Sequence, residues 1–239
     1  MTEHISRRKF LPWTALGCGA GLLLPRLLDS ATRPSHITIK RGDSLFRLSK
    51  KYDLSVAQLK LWNGLTNDLI YAGQKLWLEP AYSNLPVSEI AKPKIKPNRW
   101  QNIIAHHSAT PSGNAKIFDQ HHRVRQGREH GLAYHFVIGN GTNSRDGKVE
   151  IGGRWLKQVN GGHVSSATYN ANSIGICLVG NFERTHPSKH QLVSLIELTD
   201  YLKNRVFSGH LKFLVHNEIE KTLCPGRYFP STRLRKLFA

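Results

Sequence analysis

Hydrophobic and polar positions divide the chain into a short N-terminal block of elements and a longer C-terminal one. In the short block, residues 36–40 alternate as a strand and residues 75–78 form a second strand. Between them, apolar residues at helical spacing predict one helix after Gly42 and another from Ser55. Residues 34–80 are therefore predicted to form a small β-α-α-β domain.

The longer block, residues 99–239, alternates apolar runs with amphipathic ones. The expected strands are residues 102–105, 134–138, 173–179 and 212–215, and the expected helices are residues 115–125 and 192–206. The run at 173–179 is apolar throughout, which is typical of a central strand. Strands that alternate with helices predict an α/β fold of mixed α+β type, with a central mixed β-sheet flanked by helices.

Residues 81–98 separate the two blocks and are rich in proline and lysine. They show little apolar periodicity, so we expect a linker. A proline-rich chain of this size would reach roughly 50 Å at about 3.1 Å per residue. Such a tether would let the larger domain sample nearby substrate.

The first 33 residues resemble an export signal. Arg7 and Arg8 stand directly before an apolar run, a pattern that indicates the twin-arginine route. An ordinary export signal or an N-terminal anchor is the alternative. Cys18 also resembles a lipoprotein processing site, at which the cysteine would be lipidated. We expect a protein exported to the periplasm or cell envelope, with no stable membrane span once the signal is cleaved near Ala31.

Charge and composition narrow the choice of partner. The chain has 34 Lys and Arg against 16 Asp and Glu, a net charge of +18. Removing the signal takes four basic and two acidic residues, which leaves 30 − 14 = +16. That charge predicts an anionic partner, and the lack of a nucleic-acid-binding motif in an exported chain favours an envelope polymer or membrane surface. Hydrophobic residues at 39% and three cysteines exclude a disordered chain and a disulfide scaffold.

Two predicted strands end at histidines, which suggests a metal site. His106 follows the first strand of the larger block, and His216 follows the last. Cys224 comes eight residues after His216 and precedes Pro-Gly. A catalytic zinc takes three protein ligands, which these residues would supply, although hydrogen-bonded loop histidines give the same pattern.

The segment IKRGDSLFRLSKKYDLSVAQLKLWNGLTNDLIYAGQKLWL resembles a LysM domain over the whole short block. The resemblance implies binding of N-acetylglucosamine-containing glycans in a shallow groove between two loops. The residues that it places in this groove are Asp43, Ser44, Leu45, Ile70 and Tyr71. Leu45 and Ile70 also suit a hydrophobic core.

The segments IIAHHSAT, LAYHFVIGNG, GGHV, NSIGICLVGNF and LVHNEIEKTLCPG together resemble the type-2 N-acetylmuramoyl-L-alanine amidases. This superfamily includes phage amidase-lysozymes and animal peptidoglycan-recognition proteins. The resemblance implies Zn²⁺ held by His106, His216 and Cys224, and cleavage of the amide that joins N-acetylmuramic acid to L-alanine in peptidoglycan. His107 alternates away from His106 on a strand, so we expect it to be structural.

The same resemblance assigns further residues to the site. It places Tyr134 near the metal, where it would orient water or stabilise an oxyanion. Thr222 stands where some relatives carry a lysine, and we group it with the catalytic residues. His163, in the Gly-Gly-His loop, is expected to contact substrate, whereas His121 and His122 are expected to face solvent on a helix.

One departure from the family leaves the general base open. Cys177 stands where some relatives carry a catalytic glutamate. In an exported protein a Cys177–Cys224 disulfide would remove a ligand, but we favour a metal-bound thiolate.

Three functions follow from these features. The favoured one is a zinc amidase, a monomer tethered to peptidoglycan by its LysM domain. A second is a non-catalytic peptidoglycan-binding or sensing protein on the same fold. A third, a cysteine peptidase of the wall, places its nucleophilic cysteine before its histidine, whereas Cys224 follows His216.

Overall fold

The computed structural model describes residues 34–239, except residues 64, 66, 80, 81, 83 and 97. The expected export signal, with its arginine pair and Cys18, lies outside the described residues. Among the helices of the described part, none has the length and apolar character needed to span a bilayer.

The N-terminal domain has the predicted β-α-α-β order. Strand β1 (His36–Thr38) pairs antiparallel with β2 (Lys75–Trp77), and helices α1 (Leu45–Tyr52) and α2 (Val56–Trp62) lie between them in the chain. Ser44 begins α1, because its hydroxyl accepts the backbone N–H of Arg47 at 3.3 Å. The buried apolar residues of this domain are Ile39, Leu45, Leu48, Leu59, Leu76 and Leu78. This small core therefore lies between the two helices and the two-stranded sheet and packs them together.

The larger domain contains a five-stranded mixed sheet in the order β5-β4-β6-β3-β7. Its strands are β3 (Asn102–His107), β4 (Phe136–Ile138), β5 (Val149–Ile151), β6 (Ser173–Leu178) and β7 (Lys212–Val215). Strands β4, β6, β3 and β7 run parallel to one another, and the edge strand β5 is antiparallel to β4. The predicted central mixed sheet is confirmed, and the carboxyl ends of its parallel strands meet at one edge.

Helices cover the sheet. They are α3 (Val87–Ile90), α4 (Ala115–Gln126), α5 (Gly153–Lys157), α6 (Ala167–Asn172), α7 (Lys189–Asp200) and α8 (Ser231–Phe238), with a π-helical turn (Tyr201–Val206) that continues α7. Sequence patterns missed β5 and the helices α3, α5, α6 and α8. All of these except α8 are too short to show a period. Strand β4 begins two residues later than predicted, which leaves Tyr134 in the preceding loop.

Helix α7 is fixed to the sheet at the edge where the parallel strands end. Ser188 and Gln191 form a reciprocal capping box at its first turn. The side-chain amide of Gln191 also donates to the carbonyl of Val179, 2.8 Å away, just beyond β6. The helix therefore starts at the carboxyl edge of the sheet and runs back toward the other edge.

The segment expected to be an extended tether instead packs on the larger domain. Leu85 and Ile90 are buried in the main hydrophobic core. The Tyr82 hydroxyl donates to Asp200 at 2.5 Å, and the Ile90 carbonyl accepts the Trp155 indole N–H at 3.0 Å. The extended-spacer prediction is wrong for these residues, because their few apolar side chains find partners that proline and lysine content does not reveal.

The two domains also contact each other directly. Trp62, at the end of α2, packs against the main core of the larger domain. Glu79, just after β2, forms an ion pair with Arg205 at 3.4 Å. The N-terminal domain is thus seated on the larger domain near the π-helical turn.

Candidate metal centre

The register of the central strands brings two histidines together. Strands β3 and β7 are parallel, with Ala105 opposite Val215. His106 follows Ala105 and His216 follows Val215, so both imidazoles lie at the same edge of the sheet. Their ring centroids lie 4.5 Å apart. The predicted proximity of the two strand-end histidines is therefore present in the fold.

Cys224 completes a group of three potential ligands. One ligand atom from each of His106, His216 and Cys224 lies within 4.8 Å of the others. The Cys224 Sγ is 3.7 Å from Nδ1 of His106 and accepts the backbone N–H of His107 at 3.3 Å. Two imidazoles and one thiolate form a donor set that zinc takes at catalytic sites, where a fourth position stays open.

Cys224 is a protonated thiol unless a cation lies beside it. Burial raises the pKa of this thiol to about 12. Near neutral pH the sulfur would thus stay protonated unless a nearby positive charge stabilised the thiolate. Metal coordination supplies such a charge and displaces the proton. The chemistry of the three residues therefore fits a zinc ion.

His106 has a defined protonation pattern. Its Nε2 lies 3.0 Å from Nδ1 of His163, and Nε2 of His163 lies 3.3 Å from the carbonyl of Ser173. A carbonyl only accepts, so His163 carries its proton on Nε2 and accepts from His106 through Nδ1. Burial also lowers the pKa of His106 well below its usual value. His106 is therefore a neutral ring whose Nδ1 lone pair faces Cys224.

His163 lies behind His106 rather than in the open cleft. Its side chain is 6% exposed, and both of its ring nitrogens have partners within the protein. The expectation that this residue contacts substrate does not match that placement. The Gly161-Gly162 pair folds the chain so closely that a Cβ on Gly161 would lie 2.4 Å from the His163 ring.

His216 is held by a carboxylate. Its Nε2 lies 2.5 Å from Oε1 of Glu220, four residues along the chain. The other carboxylate oxygen accepts the backbone N–H of Ser165 at 2.9 Å and also the Ser165 hydroxyl. A carboxylate acceptor requires the proton on Nε2 of His216, which leaves Nδ1 free for a metal.

His107 is structural, as strand alternation predicts. Its ring faces away from the ligand group, and Nδ1 accepts the backbone N–H of Phe182 at 3.1 Å. Its backbone N–H instead serves the site by donating to Cys224. A hydrogen bond to the sulfur stabilises thiolate character in that ligand.

Tyr134 borders the ligand group in the loop before β4. Its ring centroid lies 5.3 Å from that of His106. Burial raises the pKa of the phenol well above its ordinary value. Tyr134 therefore keeps its proton across the neutral range and can donate a hydrogen bond.

Thr222 shapes the loop that delivers the cysteine. Its Oγ1 accepts the backbone N–H of Cys224 at 3.2 Å, across a two-residue turn. Because this bond uses the hydroxyl oxygen as an acceptor, the hydroxyl proton remains available to donate.

An open cleft of about 490 Å³ leads away from Tyr134. Its walls come from the loop after β3 and from one face of α4, and they comprise Ser108, Thr110, Pro111, Ser112, Ile117, Phe118, His121, His122 and Gln126. The expectation that His122 faces solvent is wrong. Its Nδ1 accepts the backbone N–H of Ala133 at 3.0 Å, and burial lowers its pKa to about 4.

Two cysteines meet at this site without bonding to each other. Within the described residues, Cys177 and Cys224 are both free thiols. Cys177 is fully buried on β6, and burial raises its pKa well above its ordinary value. The disulfide alternative is therefore absent from this structure, and Cys177 is an inert, protonated neighbour.

The expected glycan groove of the N-terminal domain contains both exposed and buried residues. Tyr71 is 69% exposed and Ser44 is exposed, whereas Leu45 is buried and Ile70 packs on the small core. Asp43 accepts the backbone N–H of Lys40 at 2.8 Å and so shapes its loop. Phe46 and Leu69 are also exposed on this domain, and neither was among the expected groove residues.

Glu220, Ser165 and the supporting role of His163 were not among the residues expected from the sequence. A carboxylate four residues after a predicted ligand was a usable signal for Glu220. No local pattern marks Ser165, because its partner lies 55 residues away along the chain.

Comparison with known sequences gives two family matches. Residues 96–227 match the N-acetylmuramoyl-L-alanine amidase family, and residues 37–79 match the LysM domain. The chain is 27% identical over 191 residues to a peptidoglycan recognition protein of Bombyx mori, covering 76% of this chain and 88% of that one. It is 50% identical over 42 residues to an autolysin of Enterococcus faecalis, covering 18% of this chain and 6% of the autolysin. The match to the autolysin is confined to a short segment, so this chain spans only a small part of the autolysin's length.

Two solved structures similar to this chain come from a bacterium and an insect. One is the N-acetylmuramoyl-L-alanine amidase LysC from Clostridium intestinale, at 28% identity and a TM-score of 0.47. That match covers 55% of this chain and 80% of LysC. Another is Drosophila PGRP-LB, at 25% identity and a TM-score of 0.44, covering 59% of this chain and 78% of that one.

Proposed function

We propose, from the premise that this chain belongs to the N-acetylmuramoyl-L-alanine amidase family, that it is a zinc-dependent peptidoglycan hydrolase. Its reaction is cleavage of the amide between N-acetylmuramic acid and L-alanine of the stem peptide. The observation that carries the proposal is the convergence of His106, His216 and Cys224 beside Tyr134, which itself lines an open cleft.

The residues around the ligand group suit amide hydrolysis. Zinc, when held there, supplies a Lewis acid for the amide carbonyl and a nucleophile from water at neutral pH. Tyr134 keeps its phenolic proton and donates to the negative charge that develops on the carbonyl oxygen. The hydroxyl of Thr222, whose oxygen accepts the backbone N–H of Cys224, is proposed as a second donor. The general base is not assigned, since the position of the relatives' glutamate holds the protonated thiol of Cys177.

The cleft beside Tyr134 provides room for the muramoyl peptide. Its wall combines apolar side chains, such as Ile117 and Phe118, with hydroxyl groups from the loop after β3. That mixture suits a substrate which carries both sugar hydroxyls and a peptide.

The LysM domain is proposed to hold the enzyme on the glycan strand. Exposed Tyr71 and the neighbouring groove residues Asp43, Ser44 and Ile70 form the contact surface. The positive charge adds attraction to anionic envelope polymers. We further propose that the protein acts as a monomer after twin-arginine export to the periplasm or cell envelope.

The decisive experiment is mass spectrometry of the products released from purified peptidoglycan by residues 34–239 with zinc supplied. The expected products are free stem peptides with a new L-alanine amino terminus. A matched reaction with chelator should release none. Release of disaccharides or of peptide fragments that lack L-alanine would contradict the proposed bond specificity.

A peptidoglycan-binding protein without activity is the second candidate. The similarity to the Bombyx mori peptidoglycan recognition protein favours it. The intact set of three ligands argues against it, because binding alone does not require them. Intact wall that retains the bound protein would move this candidate to first place.

A cysteine peptidase remains the third possibility for Cys224, whose Sγ lies 3.7 Å from an imidazole. A nucleophilic cysteine needs a lowered pKa, whereas burial raises that of Cys224. Chelator-resistant cleavage that iodoacetamide abolishes would favour the peptidase.

A further inference from the structure

One short loop lies behind both histidines of the ligand group. We call residues 161–166 the support loop. It contains His163, which contacts His106, and Ser165, which contacts the carboxylate that holds His216. His106 lies on β3 and His216 directly follows β7. Yet His163, the partner of His106, and Ser165, which holds the carboxylate of Glu220, come from a single stretch of chain.

The support loop is itself well fixed. The Asn170 side chain accepts the backbone N–H of His163 at 2.9 Å and donates to the carbonyl of Val164 at 2.8 Å. The backbone N–H of Gly162 donates to the carbonyl of Ala133 at 2.9 Å. These bonds hold the loop between α6 and the segment before β4, in addition to its contacts with His106 and Glu220.

Glu220 is the link between the support loop and His216. One carboxylate oxygen accepts from the imidazole, and the other accepts twice from Ser165. Its side chain is 25% exposed, so the carboxylate is held without being sealed from solvent. Residues Glu218 and Glu183 also carry carboxylates in nearby loops, but they pair with arginines and not with a ligand histidine.

We propose that Glu220, held by Ser165, is a positioning residue that fixes His216 with Nδ1 toward Cys224 and thereby sets the affinity of the site for zinc. This inference rests on the proposed function, because it takes the three ligands to be a zinc site. The carboxylate acts in two ways. It orients the ring, and its negative charge makes the imidazole a stronger donor.

The link also fixes the spacing of the two ligand segments. His216 begins a short 3₁₀ turn (His216–Glu218) directly after β7, and Cys224 lies in the loop beyond that turn, whereas His106 lies within β3. Through Glu220 and Ser165 the outer loop is tied to the same support that orients His106. Loss of the link should therefore weaken binding of the metal without disturbing the strands.

The test is a competition titration of zinc against a chromophoric chelator, with residues 34–239 of the wild type and of E220A, E220Q and S165A. The control is E218Q, which removes a carboxylate two residues away that bonds to Arg235 and to the backbone of Val215. Cobalt(II) absorption provides a second readout, because its ligand-field bands report the geometry around the metal.

We expect E220A to bind zinc about 10- to 100-fold more weakly than the wild type. E220Q should lie between them, since its amide oxygen still accepts from Nε2 but carries no charge, and S165A should show a smaller loss. The cobalt spectrum of E220A should shift, while urea unfolding of the metal-free variants should match the metal-free wild type.

Equal zinc affinity for E220A, E218Q and the wild type, with unchanged cobalt spectra, would overturn the inference. A wild-type chain that binds zinc tightly but releases no stem peptide would instead count against the proposed function and leave the role of Glu220 standing. A wild-type chain that binds no zinc would overturn both.

Discussion

His106 and Cys177 lie directly opposite each other in the register of the central parallel strands β3 and β6. Their side chains therefore point to the same face of the sheet, one into the ligand group and one into the core beside it. Cys224 reaches the same place from a loop. Two thiols thus flank one imidazole, yet only Cys224 belongs to the group whose ligand atoms converge.

The first prediction separates the two thiols. C224A should lose stoichiometric zinc and all hydrolytic activity, because a ligand is removed. C177A should keep zinc and cost about 1 kcal/mol of stability from the small cavity left behind. Zinc content by elemental analysis checks both, with thiol titration before and after chelation. Loss of zinc from C177A but not from C224A would contradict the ligand assignment.

The second prediction concerns Tyr134. Y134F should lower kcat about 100-fold, the scale expected when one donor to a developing oxyanion is removed. Zinc content should stay at one per chain, because the phenol is not a ligand. Y201F, a change on the π-helical turn, serves as the control and should leave turnover unaltered. Turnover by Y134F at the wild-type rate would remove Tyr134 from the mechanism.

The third prediction is an acid dependence of stability. His135 is fully buried; its Nδ1 accepts the Gly175 backbone N–H at 3.0 Å, and Nε2 faces the Val159 carbonyl at 3.3 Å. Burial lowers the pKa of His135 well below its usual value in the folded state. Below a pH of about 6.5 the unfolded chain therefore binds more protons than the folded chain, and stability falls.

The measurement is urea unfolding of the metal-free protein between pH 8 and pH 5. Protonation of His135 on unfolding should lower the free energy of unfolding by up to about 1.4 kcal/mol for each pH unit below the pKa of the unfolded chain. H135Q offers an acceptor and a donor in place of the two ring nitrogens and does not titrate. A pH dependence in H135Q as steep as in the wild type would contradict this account.

The fourth prediction distinguishes a packed segment from a free tether. I90A should destabilise the larger domain by about 2–4 kcal/mol, because Ile90 is fully buried in its core. K94A, a change at an exposed position of the same segment, should have no measurable effect. Urea unfolding checks both variants. Equal stability of the two would show that the segment is a flexible linker and not part of the core.

The fifth prediction concerns the wall-binding surface. Y71A should reduce retention on purified peptidoglycan about tenfold, equivalent to a loss of about 1.4 kcal/mol. Stability should not change, because Tyr71 is 69% exposed. V124A, at an exposed position of α4, is the matched control. Full retention of Y71A in a cosedimentation assay would move the glycan contact to other residues of the groove.

The sequence by itself determined the elements that have a clear period and the residues whose chemistry is distinctive. The apolar run in β6, the amphipathic stripe of α7 and the β-α-α-β order of the small domain were all predictable, because burial of a face imposes a spacing on the chain. His106, His216 and Cys224 could be predicted as ligands, since the end of a predicted strand and the chemistry of a side chain can both be read from the sequence.

Tertiary structure alone decided which side chains support those ligands. His163 and Ser165 act through partners that lie 57 and 55 residues away, and such contacts leave no local pattern. The docking of Leu85 and Ile90 was hidden for the same reason, because proline and lysine dominate the composition of that segment. Local periodicity reports only whether a face is buried, whereas the partner that buries it is chosen by the packing of the whole sheet and its helices.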